Sequence, residues 1–214
     1  MSPRIAVVDY GMGNRRSVEK ALEHVGGRPI VTADPDAVRA ADGLVIPGVG
    51  AFPKAMHNLD ALGLTDVLRA RAADGVAILG ICLGMQLLFD CSEELEPCAG
   101  LGLVPGEVRW LESPGLRIPH IGWSEVRFER RCPLIDDLPG AGCPFYHVHS
   151  LAPRPRERAD IVGTAEYGER FATIVHRENV FGVQFHPEKS SVHGLTMLTS
   201  FVKRCVAAPL PAGA

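Results

Sequence analysis

The chain has 214 residues, enough for one large domain with a substantial buried core. With 46% hydrophobic residues, 22% charged residues and a net charge of −3, it has ordinary globular composition and no electrostatic footprint for nucleic acid or an anionic membrane surface. No apolar run approaches the length of a membrane span, and Ile5-Ala6-Val7-Val8 is too short for a signal-peptide core, so the expected location is the cytoplasm.

The first half alternates strand and helix. Residues 4–9 read as a buried strand ending in the turn Tyr10-Gly11-Met12-Gly13. Asn14 then caps a helix whose Val18, Ala21, Leu22 and Val25 fall at i, i+3, i+4 and i+7, and Gly26-Gly27 stops it. A strand over 28–31, a helix over 34–40 and a strand over 44–46 follow, the last closed by Pro47-Gly48-Val49-Gly50. Helices over 53–62 and 64–73 lead to an apolar strand, 76–79, and a further helix, 85–89. Such alternation implies an α/β fold with a mainly parallel sheet and helices on both faces, whose ligands bind beyond the carboxyl ends of the strands. Gly11, Gly48 and Cys82 lie at those ends.

Between that last strand and helix stands Gly80-Ile81-Cys82-Leu83-Gly84, the thiol counterpart of the G-x-S-x-G nucleophile elbow. The glycines admit a sharp turn and close chain approach, and the helix N-terminus favours negative charge on the sulfur. The competing reading is a buried core cysteine between incidental glycines. The other cysteines are Cys91, Cys98, Cys132, Cys143 and Cys205. Without C-x-x-C spacing or a secretion signal, all six read as reduced thiols, at most one of them catalytic.

Beyond residue 97 the pattern changes to short strands: 106–110, 124–128, 145–148, 161–167, 171–176 and 180–185. They read as antiparallel or mixed additions to the same sheet, with residues 1–214 forming a single domain. The proline-broken stretch 153–158 reads as a solvated loop, with a binding patch as the alternative. A final helix from Ser191 places Leu195, Leu198, Val202, Cys205 and Val206 on one stripe, and 207–214 should fray.

A catalytic thiol needs a base and a group to orient it. In Gln184-Phe185-His186-Pro187-Glu188, alternate residues of an extended chain face one side, and Pro187 keeps His186 extended. Glu188 can then hold one ring nitrogen while the other faces the sulfur. His147 and His149 flank Val148 as a conceivable metal pair, but no third ligand stands at suitable spacing; neither metal nor cofactor is expected. The Leu83 N–H is a natural oxyanion donor, and the Pro47–Gly50 loop at a neighbouring strand end reads either as a source of the second or as an ordinary β-turn.

With these residues assembled, the chain resembles the class I, or triad, glutamine amidotransferases. Asp9 to Asn14, Pro47 to Gly50, Pro119-His120-Ile121-Gly122-Trp123 and His186 to Ser191 bring it closest to the branch comprising glutaminase subunits of imidazole glycerol phosphate synthases, in histidine biosynthesis. Arg15 departs from the leucine usual after that asparagine. The resemblance implies hydrolysis of L-glutamine through a thioester on Cys82, with His186 carrying protons and Glu188 orienting it. Leu83 and the Val49–Gly50 peptide would supply oxyanion donors. Gly50, Gln86 and Glu94 would hold glutamine, with backbone contacts from His149 and Ser150.

The implied partner is a (β/α)₈ cyclase that consumes the ammonia in a heterodimer. Such a barrel needs about 250 residues, so it must be a separate polypeptide. Asn14, Pro119, His120, Trp123 and Lys189 would lie at or near the interface, Trp123 as an exposed anchor rather than a core aromatic. The isolated chain is expected to be poorly active until the cyclase docks. Rival readings are a glutaminase of another pathway, a cysteine peptidase or glutamyl hydrolase, and a non-catalytic binding module.

Overall fold

The computed structural model describes residues 2–206. Its first half is β1 (Arg4–Val8), α1 (Arg15–His24), β2 (Arg28–Thr32), α2 (Pro35–Arg39), β3 (Gly43–Gly48), α3 (Phe52–Ala61), α4 (Leu64–Ala73), β4 (Ala77–Cys82) and α5 (Leu83–Leu87). The continuous apolar runs of β3 and β4 are buried along their whole length, as parallel strands covered on both faces must be.

The second half contributes β5 (Phe89–Ser92), β6 (Cys98–Ala99), β7 (Val104–Trp110), β8 (His120–Phe128), β9 (Gly142–His149), β10 (Leu151–Pro155), β11 (Ile161–Tyr167), β12 (Glu169–Arg177), β13 (Val180–Val183) and α6 (Ser191–Val206). A nine-stranded sheet runs β2-β1-β3-β4-β13-β12-β11-β8-β9. Its first five strands are parallel and the rest pair antiparallel. Apolar clusters cover both faces, one including Val18, Leu22, Phe181 and Phe201, the other Phe52, Leu59, Leu68 and Leu87. The mainly parallel sheet with antiparallel additions is therefore the architecture that the alternation predicts.

Several details depart from the sequence reading. Strand β4 continues through Gly80 and Ile81, so the turn begins at Cys82 itself. Helix α5 ends at Leu87, because fully buried Phe89 starts β5. Strand β7, covering 106–110, belongs to a separate four-stranded sheet, β10-β7-β5-β6. Residues 153–155, expected in a loop, lie in β10 at the edge of that sheet, where a proline's missing N–H need not break a ladder. Val206 is 59% exposed and leaves the buried stripe of α6, whereas Met197 and Phe201 join it. The fraying expected at 207–214 lies outside the described residues. All six cysteines are free thiols, and among the described residues no helix is long and apolar enough to cross a membrane.

Candidate active site

Three adjacent parallel strands deliver the site at their carboxyl ends. Gly48, the last residue of β3, is the direct register partner of Cys82, the last of β4, and Ile81 pairs with Val183, the last of β13. Cys82, the Val49–Gly50 loop and His186 thus emerge side by side from three strand ends. Cys82 has φ 55° and ψ −112°, a conformation that costs a non-glycine residue about 1–3 kcal/mol and marks a strained elbow. The strain is tolerated because α5 is seated backbone to backbone: a Cβ on Gly84 would strike the Ile46 carbonyl, and one on Gly80 the Gly84 carbonyl. Gly48 is equally confined, with the Leu83 Cβ 2.8 Å from where its own Cβ would stand. Of the two glycines beside Val49, only Gly50 has a positive φ, 115°.

His186, the expected base, is held from several directions. His186 Nδ1 hydrogen-bonds Glu188 Oε1 at 2.9 Å, with both side chains almost fully buried. The second carboxylate oxygen, Glu188 Oε2, is buried without a partner, so the imidazole is the donor that satisfies this carboxylate. The His186 N–H donates to the Tyr146 carbonyl at 2.9 Å, and Ser190 Oγ accepts from the Tyr146 N–H and donates to the His186 carbonyl. Burial works against a charged ring, but hydrogen bonds to Cys82 and Glu188, reinforced by their charges, carry the His186 pKa up to about 9. That balance favours the protonated imidazole beside the sulfur.

A cleft of about 270 Å³ is lined by Cys82, Leu83, His186, Val49, Gly50, Gln86, Glu94, Pro119, His149, Ser150 and Lys189, among others. Gln86 is buried and donates its amide to the Leu151 carbonyl (3.1 Å) and to Gln184 Oε1 (3.0 Å), leaving its own oxygen as acceptor. Glu94 Oε2 accepts the Phe52 N–H at 2.7 Å, which ties the carboxylate to the first residue of α3.

The chain matches the family model "Glutamine amidotransferase class-I" over residues 6–205. It belongs to the class-I glutamine amidotransferases. It is 53% identical to "Imidazole glycerol phosphate synthase subunit HisH" of Moorella thermoacetica, across 92% of this chain and 93% of that protein. The subunit of the same description from Synechococcus elongatus is 47% identical, across 98% of this chain and 97% of its own length. Among solved structures, "Structure of PurLQS from Thermotoga maritima" matches with TM-score 0.72 and 21% identity, over 95% of this chain and 99% of that one, a likeness of fold alone.

In this amidotransferase, two residues to which the sequence reading assigned no part in the cleft are buried beside it. Gln184, fully buried, points its amide Nε2 at Cys82 Sγ from 3.8 Å and links it to Gln86. Its signal was present: it alternates with His186 and Glu188 and so faces the same side. His147 is fully buried and hydrogen-bonds Thr173 Oγ1 at 2.8 Å. It belongs to a cluster with His120 and His149, whose rings join Nδ1 to Nε2 at 3.1 Å. Burial lowers the pKa of all three, that of His149 to about 3.

The residues expected at a partner interface divide. Trp123 is 54% exposed beside exposed Ile118, Pro119 and Ile121, and Lys189 is exposed at the cleft. His120 is the correction: it is buried, stacked on Tyr167 at 4.1 Å between ring centroids, and bonded to Ser124, so its side chain forms no part of that surface. Asn14 occupies the N-cap position of α1 without capping the backbone; its oxygen accepts from Ser17 Oγ at 2.9 Å. Arg15 forms an ion pair with Asp9, which also accepts the Gly11 N–H at 3.0 Å. Although burial raises the Asp9 pKa, hydrogen bonds from Arg15 and Gly11 outweigh it and hold the carboxyl below its ordinary range.

Proposed function

We propose that residues 1–214 act as one glutaminase domain, the glutamine-hydrolysing subunit of an imidazole glycerol phosphate synthase in histidine biosynthesis. The observation that carries the chemistry is the His186–Glu188 bond inside the cleft that Cys82 lines. Identity near 50% with subunits of that synthase supports the pathway.

The Cys82 thiolate attacks the side-chain carboxamide carbon of glutamine, and the carbonyl oxygen becomes an oxyanion facing the Leu83 N–H and the Val49–Gly50 peptide. As the tetrahedral adduct collapses, the C–N bond breaks and the His186 imidazolium donates its proton to the departing nitrogen, releasing ammonia and leaving a thioester. Water, deprotonated by the now neutral His186, attacks the thioester carbon; Cys82 leaves as thiolate and glutamate is released. Throughout, Glu188 fixes the tautomer and stabilises the imidazolium. The free acceptor oxygens of Gln86 and Glu94, together with the Ser150 backbone, suit the amino-acid end of glutamine.

Ammonia is largely protonated in neutral water, so productive transfer calls for a docked consumer, a (β/α)₈ cyclase in a heterodimer within the cytoplasm. The exposed Ile118, Ile121 and Trp123 offer it an apolar anchor. That anchor is mechanically close to the base: Trp123 pairs in register with Tyr146 and meets its ring edge-on, and the Tyr146 carbonyl holds the His186 N–H. The deciding experiment measures glutamate and ammonia from the purified chain alone and mixed with cyclases. Turnover stimulated by a histidine-pathway cyclase is expected; equal rates with and without it reject the pairing.

A further inference from the structure

Outside the catalytic cleft, a cavity of about 580 Å³ lies between β10 and the β11–β12 face of the main sheet, a size that accommodates a small metabolite. Although the chain as a whole is negative, this cavity is lined by four arginines, Arg130, Arg154, Arg158 and Arg170, against one carboxylate, Glu129. Two of the guanidiniums are neutralised: Arg154 by Glu169 at 2.5 Å, and Arg170 by Glu129, which also accepts from Thr164 Oγ1. The other two make no ion pair among the described residues: Arg130 donates to the carbonyls of Arg131 and His176 and its Nε is buried without an acceptor, while Arg158 stands exposed at the cavity edge, its charge reaching Glu129 only at longer range. Pro153, Pro155 and Phe171 give the same cavity an apolar wall. Uncompensated planar guanidiniums beside an apolar wall match a phosphate ester, whose oxygens accept bidentate hydrogen bonds while its organic body lies on carbon.

The cavity backs onto the catalytic cleft by two routes. Strand β10 carries Leu151, which lines the cleft and accepts from Gln86 and His149, and two residues later Pro153, which lines the cavity. Phe171 lines the cavity, and its ring centroid is 5.0 Å from that of His149, which lines the cleft. We infer that this arginine-lined cavity binds a small phosphomonoester of a sugar or nucleoside, and that its occupancy adjusts glutamine turnover through β10 and Phe171. The coupling rests on the glutaminase reading; the binding does not.

The test is calorimetric titration of the full chain at low salt with ribose 5-phosphate and AMP, with ribose and citrate as controls. Saturable binding of the phosphate esters is expected, with none of ribose and weaker binding of citrate. Arg158→Ala should raise Kd about tenfold or more, as loss of a charge-assisted contact does, and Arg158→Lys should fall between. Cys82→Ala should leave Kd unchanged. No saturation at millimolar ester, an unaltered Kd in Arg158→Ala, or citrate bound as tightly as the esters each overturns the site. In the wild type, saturating ester should change kcat or KM for glutamine, and Arg158→Ala should lose that response while keeping basal turnover. A bound ester with unchanged turnover overturns the coupling. A chain that binds the ester but hydrolyses no glutamine overturns the glutaminase reading and leaves the site standing.

Discussion

The floor and the rim of the cleft are built on different principles. The floor, comprising Cys82, Gln184, His186 and Glu188, is buried, closed by side-chain hydrogen bonds, and set at the ends of central strands. The rim is open: Val49 is 45% exposed, and Ile118, Ile121 and Trp123 stand in solvent. Groups that must be correctly protonated are sheltered from water, whereas groups that must respond to another molecule remain accessible to it. The floor should therefore determine whether chemistry occurs, and the rim when it occurs.

The sharpest test of this division is Cys82→Ala, expected to lower glutamine hydrolysis on the order of 10⁶-fold, as removal of a nucleophile does, without weakening cyclase binding. Retained turnover in the purified variant would dismantle the floor. Glu188→Gln should cost about 10⁴-fold in kcat, because the ring loses the partner that sets its tautomer. It should also move the pH profile. The wild-type rate should fall as pH rises through about 9, where His186 loses the proton it donates, and the variant's alkaline limb should lie lower. Limbs that coincide would show that Glu188 does not govern the base.

At the rim, Gly50→Ala places a Cβ on a residue with φ 115° and should reduce kcat about 10²-fold, the cost of a misplaced oxyanion donor, with little change in KM. A pure KM effect would move the loop's role from oxyanion to substrate binding. Trp123→Ala should weaken cyclase binding by about 2 kcal/mol, roughly 30-fold, and leave the isolated chain's hydrolysis unaltered. Unchanged binding would remove the anchor.

The smallest effects concern stability, and the two histidine environments pull in opposite directions. His186 titrates higher in the folded chain than its ordinary 6.5, so its stabilisation is complete below that value and is lost as pH rises through about 9. His149 titrates near 3 when folded, so its neutral form stabilises above 6.5 and that contribution is lost as pH falls toward 3. Urea denaturation across this range should show both slopes, with Glu188→Gln flattening only the alkaline one.

The floor was also the more legible region. Glycine spacing around Cys82 and the His186–Glu188 alternation are local patterns, and the strand–helix periodicity that presents them is equally local. What the sequence hid depends on long-range packing. Nothing near His120 announces that Tyr167, 47 positions away, will cover its ring. Nor do Pro153 and Pro155 announce an edge strand, since only the position of β7 makes it one. Of the four arginines around the second cavity, Arg154 and Arg158 share one short stretch, but Arg130 and Arg170 join them only once β10 lies across the sheet.

The contact between α5 and β3 has a consequence for how such a protein can diversify. Gly48, Gly80 and Gly84 act as spacers of no thickness, so the separation of Cys82 from the Val49–Gly50 loop is a dimension of the main chain, with no rotamer to reset it. Exposed side chains around the rim, away from Gly50, can then be exchanged without retuning the reaction. Chemistry and clientele become separately inheritable, one written in backbone and the other in surface.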